Sequence, residues 1–245
     1  MDIFFEIHKD LPREGPGDNR STQKALALMQ NLPYHPQILD IGCGPGLQTL
    51  ELARRTAGKI VAVDTHQPFL DTLQQRAQAA GLSERISLEN ASMFALTYQP
   101  NSFDALWSEG AIYIIGFEKG LREWRPLLKP GGYVAVTEIS WLKPNPPQEV
   151  LSYWMADYPD MQSIDANLSR LRAAGYREID HFTLPTSSWW DDYYTPIQAR
   201  LPMLRQRYQG DAEAKEILNA TEKEIAMYQK YSEWYCYVFY VMQVE

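Results

Sequence analysis

The chain has 245 residues, 45% of them hydrophobic and 22% charged. That is room for one good-sized domain, and too apolar a composition for wholesale disorder. A balance of 23 basic against 31 acidic residues gives −8, which argues against a nucleic-acid backbone as the main partner.

Two cysteines, Cys43 and Cys236, stand without a CxxC or Cys/His neighbour, so neither a zinc signature nor a disulfide framework is present. No metal is expected, and a reducing, cytoplasmic setting fits. No stretch reaches the ~18 uninterrupted apolar residues of a membrane span. The N-terminal segment lacks a basic region and a cleavage site, so it does not read as a secretory signal. Its residues Ile3, Phe4, Phe5 and Ile7 predict a leader that packs against the domain.

The loop Arg13-Glu14-Gly15-Pro16-Gly17-Asp18 is turn-rich. It reads either as a connector or as a flap whose small residues, Gly17 among them, let backbone approach a ligand. Ser21 is a candidate N-cap for a helix to about Asn31. Ile38-Leu39-Asp40-Ile41 is then a short buried strand that stops at Gly42-Cys43-Gly44-Pro45-Gly46. Leu47, Leu50, Glu51 and Ala53 recur at helical spacing, Gly58 closes that helix, and Ile60 to Val63 form a second strand ending on Asp64.

A helix over Gln67 to Ala80, a strand at Ile86 to Glu89 and a strand at Phe103 to Ser108 follow. A helix from about Phe117 to Leu128 stops at Lys129-Pro130-Gly131-Gly132, and Tyr133 to Glu138 read as a fifth strand. This alternation predicts an α/β fold: a Rossmann-like, doubly wound, mostly parallel seven-stranded sheet. Beyond Trp141, a helix near residues 163–174, a strand over Tyr176 to Leu184 and a final strand over Trp234 to Val244 complete the chain. The expected layout is a single domain. It has an N-terminal flap and helix (1–36), a core (37–140), and C-terminal strands carrying a helical insertion at about 186–233.

The glycine spacing narrows the ligand. A dinucleotide fingerprint needs G-x-G-x-x-G around a pyrophosphate, whereas here the glycines fall at i, i+2 and i+4 with Asp40 just ahead. A carboxylate at that place is a poor host for a diphosphate and suits an ammonium group. Asp64, 22 residues after Gly42, is placed to accept from both ribose hydroxyls. The ligand expected is a nucleoside with an amino-acid tail and no phosphates.

The run Leu39-Asp40-Ile41-Gly42-Cys43-Gly44-Pro45-Gly46, then Val63-Asp64, then Leu127-Leu128-Lys129-Pro130-Gly131-Gly132, resembles class I S-adenosylmethionine-dependent methyltransferases. Within them it looks like the small-molecule branch grouped with ubiquinone/menaquinone-biosynthesis enzymes. The resemblance covers about Gln37 to Glu138 and weakens to topology beyond.

The resemblance implies S-adenosyl-L-methionine as cofactor and in-line methyl transfer to a small acceptor. By it, Asp40, Gly42, Cys43 and Gly44 would hold the methionine end, Asp64 the ribose, and Thr65 would flank the adenine. Ser92 and Met93 stand where the family usually has an acid that binds the adenine amino group. Ser108 and Glu109 would end the fourth strand beside the methyl group.

If the acceptor needs a general base, the candidates are Glu109, Tyr113, Glu138 and His181, with Glu109 and Tyr113 preferred; His181 reads better as a structural histidine. The aromatic density after Ser140 fits the core of a helical cap or, for some members, an apolar acceptor pocket. The rival reading is an S-adenosylmethionine-binding protein without turnover. The expected assembly is a monomer or homodimer.

Overall fold

A computed structural model describes residues 3–245; the first two residues of the expected N-terminal segment lie outside it. Helices α1 (Ile3–His8) and α2 (Asn19–Ala27) precede the sheet. Asp18, not Ser21, caps α2: its side chain accepts the Ser21 N–H at 2.8 Å, and Ser21 lies inside the first turn. A carboxylate at the N-cap also meets the positive end of the helix dipole, which favours it over a serine three residues on.

The core alternates as expected: β1 (Gln37–Ile41), α3 (Leu47–Arg55), β2 (Lys59–Asp64), α4 (Gln67–Ala79), β3 (Ile86–Asn90), β4 (Phe103–Ser108), α5 (Phe117–Trp124) and β5 (Leu128–Trp141). Every residue of β4 is buried, and so are four of five in β1, because helices cover both faces of these central strands. Strand β5 begins at Leu128, so Lys129-Pro130-Gly131-Gly132 belong to its entry; an irregularity in the pairing with β4 between Phe103 and Ala105 absorbs them.

The C-terminal part contains α6 (Gln148–Asp157), β6 (Gln162–Ser163), α7 (Ile164–Ala173) and β7 (Tyr176–Thr183). The insertion is α8 (Ser187–Trp189), a π-helical turn (Trp190–Tyr194), α9 (Thr195–Arg207) and α10 (Ala212–Tyr231), and β8 (Tyr235–Val244) closes the chain. The sheet runs β3-β2-β1-β4-β5-β8-β7, with the two-residue β6 paired beside β5. The expected seven-stranded path is thus present with one short extra strand. Among the described residues only the pairings of β8, with β5 and with β7, are antiparallel.

Strand order reverses between β1 and β4, both parallel, and ligands of open α/β sheets bind in the crevice beyond such a reversal. The helical insertion packs over that end. Trp189 stacks on Tyr228 at 4.0 Å, with Tyr193, Tyr194 and Tyr235 buried around the pair. These aromatics are the core of a cap, the first of the two readings weighed from the sequence.

Candidate cofactor and acceptor site

The glycine turn owes its shape to two close approaches. Gly46 has φ +82°, and a Cβ there would lie 2.2 Å from Leu73 of α4. Gly42 has φ +71°, and its Cβ would lie 2.5 Å from the Ala111 methyl. Left-handed backbone and close contact with a neighbouring side chain together leave room for glycine alone. The turn's amide groups are spent within the protein. Gly42 and Cys43 donate to the Val63 carbonyl, Gly46 to the Cys43 carbonyl, and Gly44 to Asp64 Oδ2 at 2.9 Å. Pro45 has no N–H, so this turn offers no amide to a pyrophosphate.

A cavity of about 340 Å³ opens above the turn. Gly42, Cys43, Gly44, Asp64, Thr65, Ser92, Met93, Glu109 and Tyr113 line it, and so do Arg13, Glu14, Gly15, Pro16, Phe4, Phe5, His66 and Phe69. The loop after α1 therefore forms part of the cavity wall. Phe5 stacks on His66 with ring centres 3.8 Å apart, laying α1 along the rim.

Three positions differ from expectation. Ser108 is fully buried and gives its hydroxyl to the Ile41 carbonyl at 2.9 Å, so it ties β4 to β1 and does not reach the cavity. The Gly17 N–H donates to the Ser188 carbonyl at 3.1 Å, which fastens the flap to the cap and keeps Gly17 off the cavity wall. Asp40 lies beneath the turn at 0% exposure, with Oδ2 accepting from Thr49 Oγ1 at 2.6 Å and Oδ1 without a partner.

Glu109 reaches the cavity wall, and its carboxylate is tied into the protein. Arg13 Nη1 donates to Oε2 at 2.6 Å, while Thr22 Oγ1 and Trp107 Nε1 donate to Oε1 at 2.7 and 2.8 Å. Three donors, one of them a guanidinium, thus fix the carboxylate in place. His181 sits in β7 with Nδ1 against Glu178 at 2.8 Å, away from the cavity, the structural role preferred from sequence.

The electrostatics of the site are acidic. Asp64 Oδ1 accepts the His66 N–H at 2.9 Å, and each carboxylate oxygen keeps further acceptor capacity toward the cavity. Glu14 Oε2 is buried without a partner; burial first, then the Asp64 charge, pushes the Glu14 carboxyl up to about 8. Burial likewise raises Asp40 to about 7, with the Glu109 and Asp64 charges adding to it. The sequence flagged the loop holding Glu14 without singling out the residue. Its acidity matters only once the fold sets it beside Asp64. Among the described residues no group of three or more His, Cys, Asp or Glu side chains is arranged to hold a metal ion.

Residues 38–132 match the family described as a methyltransferase domain. Over that stretch the chain is similar to methyltransferase domains. Methyltransferase GfsG of Streptomyces halstedii is 32% identical over 104 residues, 42% of this chain and 37% of that protein. The 2-phytyl-1,4-naphtoquinone methyltransferase of Trichormus variabilis is 33% identical over 123 residues, 49% of this chain and 53% of its own length. The chain thus spans about a third to a half of these curated relatives.

Among solved structures, an S-adenosylmethionine-dependent methyltransferase from Geobacter sulfurreducens, crystallised with S-adenosyl-L-homocysteine, superposes with a TM-score of 0.85 at 18% identity. It covers 100% of this chain and 98% of that one, so the fold likeness extends past the methyltransferase domain through the cap. The class I, small-molecule resemblance read from the glycine turn holds, and the naphtoquinone enzyme lies on the quinone side of it. Among the described residues no helix is long and apolar enough to cross a membrane.

Proposed function

We propose that this chain is an S-adenosyl-L-methionine-dependent methyltransferase acting on a small organic molecule by in-line transfer. One observation carries the reading: the carboxyl groups of Glu14, Asp64 and Asp40 converge on a glycine turn whose amides are already used. Such a cradle repels phosphates and accepts a cationic nucleoside, so the residues present fit this cofactor. The bound cofactor supplies an electrophilic methyl group on a sulfonium.

Asp64 holds the ribose hydroxyls through the free acceptor sites of its carboxylate. Thr65, Ser92 and Met93 flank the adenine, and Gly42, Cys43 and Gly44 bring backbone close to the methionine end. Asp40 acts from beneath the turn through its field rather than by contact. Glu109 holds Arg13, and with it the flap, in place over the site, while Phe5 and the flap exclude water. Tyr113 stands on the acceptor side of the cavity.

A cytoplasmic, monomeric or homodimeric protein without a nucleic-acid partner completes the reading, supported by the acidic charge and the cysteine usage. Calorimetry with S-adenosylhomocysteine and with NAD tests the cofactor: binding of the first and not the second is expected, and the reverse overturns the proposal. A labelled-methyl transfer screen against metabolite extract tests turnover. Cofactor binding with no labelled product would leave the rival reading, binding without transfer.

A further inference from the structure

Beside Tyr113, past the C-terminal end of β4, a second group of side chains comes together from four other elements. Glu138 stands near the end of β5 and is 1% exposed. Its Oε1 accepts the Tyr158 hydroxyl at 2.7 Å, whereas Oε2 is buried with no hydrogen-bond partner. The Tyr158 ring, at the end of α6, meets the Tyr113 ring edge-on at 6.0 Å. Tyr113 lines the cofactor cavity and is 43% exposed, so the contact of its ring with Tyr158 links the cavity wall to the carboxyl group that carries the unpartnered oxygen.

The surrounding charge is negative. Glu138, Asp157 and Glu224 of α10 all act on the Tyr113 phenol and raise it after burial does, and the Tyr237 phenol of β8 is raised by Glu138 and Glu224. Arg170 is the cation that reaches Glu138, and its guanidinium is held on both oxygens of Asp160 at 3.0 and 2.8 Å. Arg13 is held by Glu109. An anionic acceptor would meet carboxyls here with no uncommitted arginine to answer it.

We propose that Glu138, Tyr158 and Tyr113 form the acceptor end of this site, and that it takes a small molecule presenting a protonatable amine. The inference rests on the methyl-transfer reading above and names the substrate class within it. The lone Oε2 supplies the acceptor that an ammonium hydrogen needs, and the phenol rings supply faces for its charge. Glu138 then takes one proton from the ammonium. The freed nitrogen lone pair forms the bond to the methyl carbon, the carbon–sulfur bond breaks, and its electron pair stays on sulfur. The products are S-adenosylhomocysteine and the N-methylated ammonium, and Glu138 releases its proton to solvent. Burial holds the Glu138 carboxyl up to about 8, near the range in which an amine gives up its proton, with Asp160 raising it and Arg170 and Tyr158 lowering it.

The test uses the full chain saturated with S-adenosylhomocysteine and three probes of one skeleton: 2-phenylethylamine, 2-phenylethanol and phenylacetate. Calorimetry should show the amine binding about tenfold or more tighter than the alcohol, the scale of one charge-assisted hydrogen bond, with the carboxylate weakest. Amine affinity should fall as pH drops from 8 to 6 and Glu138 takes up its proton, a dependence absent for the alcohol. Glu138→Gln should erase the amine preference and leave S-adenosylhomocysteine affinity within about twofold.

Tyr113→Leu, at an exposed position that the fold tolerates, should weaken the amine severalfold and spare the alcohol. Equal amine and alcohol binding, no amine binding to the loaded protein, or unchanged amine affinity in both variants would overturn the inference alone. Failure of S-adenosylhomocysteine itself to bind would overturn the methyl-transfer reading with it.

Discussion

Arg13 Nη1 lies 2.6 Å from Glu109 Oε2, and both side chains are 5% exposed. This buried pair joins the flap before α2 to the end of β4, and so holds one wall of the cofactor cavity against another. The same guanidinium donates to Thr22 Oγ1 at 3.2 Å and Asn19 Oδ1 at 3.1 Å, which brings α2 into the network.

Removing one member strands the other charge in the interior. Glu109→Ala should lower stability by about 3 kcal/mol and weaken S-adenosylhomocysteine binding as the flap loosens. The double change Arg13→Met with Glu109→Leu should recover most of the stability, because neither charge is then buried alone. Urea denaturation of the two variants decides it. A single variant as stable as the parent would show that the pair does not secure the flap.

Asp64→Ala should weaken S-adenosylhomocysteine binding by about 1.5 to 3 kcal/mol, the range for hydrogen bonds to a charged group. Calorimetry reads this directly, and unchanged or tighter binding would remove Asp64 from the ribose.

Gly46→Ala should destabilise the chain by roughly 2 to 4 kcal/mol, combining a left-handed residue with overpacking against Leu73. Gly210 has open space around it, so Gly210→Ala should stay within about 0.5 kcal/mol. Guanidinium melts of both variants give the comparison, and equal effects would mean that the turn's tight fit against α4 carries no stability.

Stability of the ligand-free protein should fall as pH rises. Glu14 and Glu138 each go from an ordinary carboxyl value of 4.5 to about 8 in the fold. A raised folded-state value means that the native protein holds protons the unfolded chain has released, so this contribution is full below about 4.5 and is lost by about 8. Thermal melts should therefore show the midpoint dropping between pH 5 and pH 8. Glu138→Gln should flatten part of that slope. A midpoint that climbs over this window contradicts the buried, proton-holding carboxyls.

The sequence by itself determined the βαβ unit and the kind of ligand. Its cues are local: an apolar run of strand length, glycines at i, i+2 and i+4, and an acid at the end of the next strand. The caps at Ser163 and Asp211 in the structure are equally local, a short polar side chain accepting an N–H three residues on.

What the sequence left open depends on which distant residues share a space. Glu109 read as a candidate base because it follows a buried strand at its C-terminal end. The tertiary fold brings Arg13 across 96 positions to neutralise it. Ser108 read as a cavity residue because it ends a strand, and the facing β1 carbonyl turned it inward. Glu14 carries no local mark, and Glu138 stood only as one of four candidate bases. Their chemistry comes from desolvation, which exists only when helices, flap and cap close over them and water is gone. The glycine turn and Asp64 are written within one βαβ unit, while the proposed acceptor end is assembled from five separate elements by the packing of the cap.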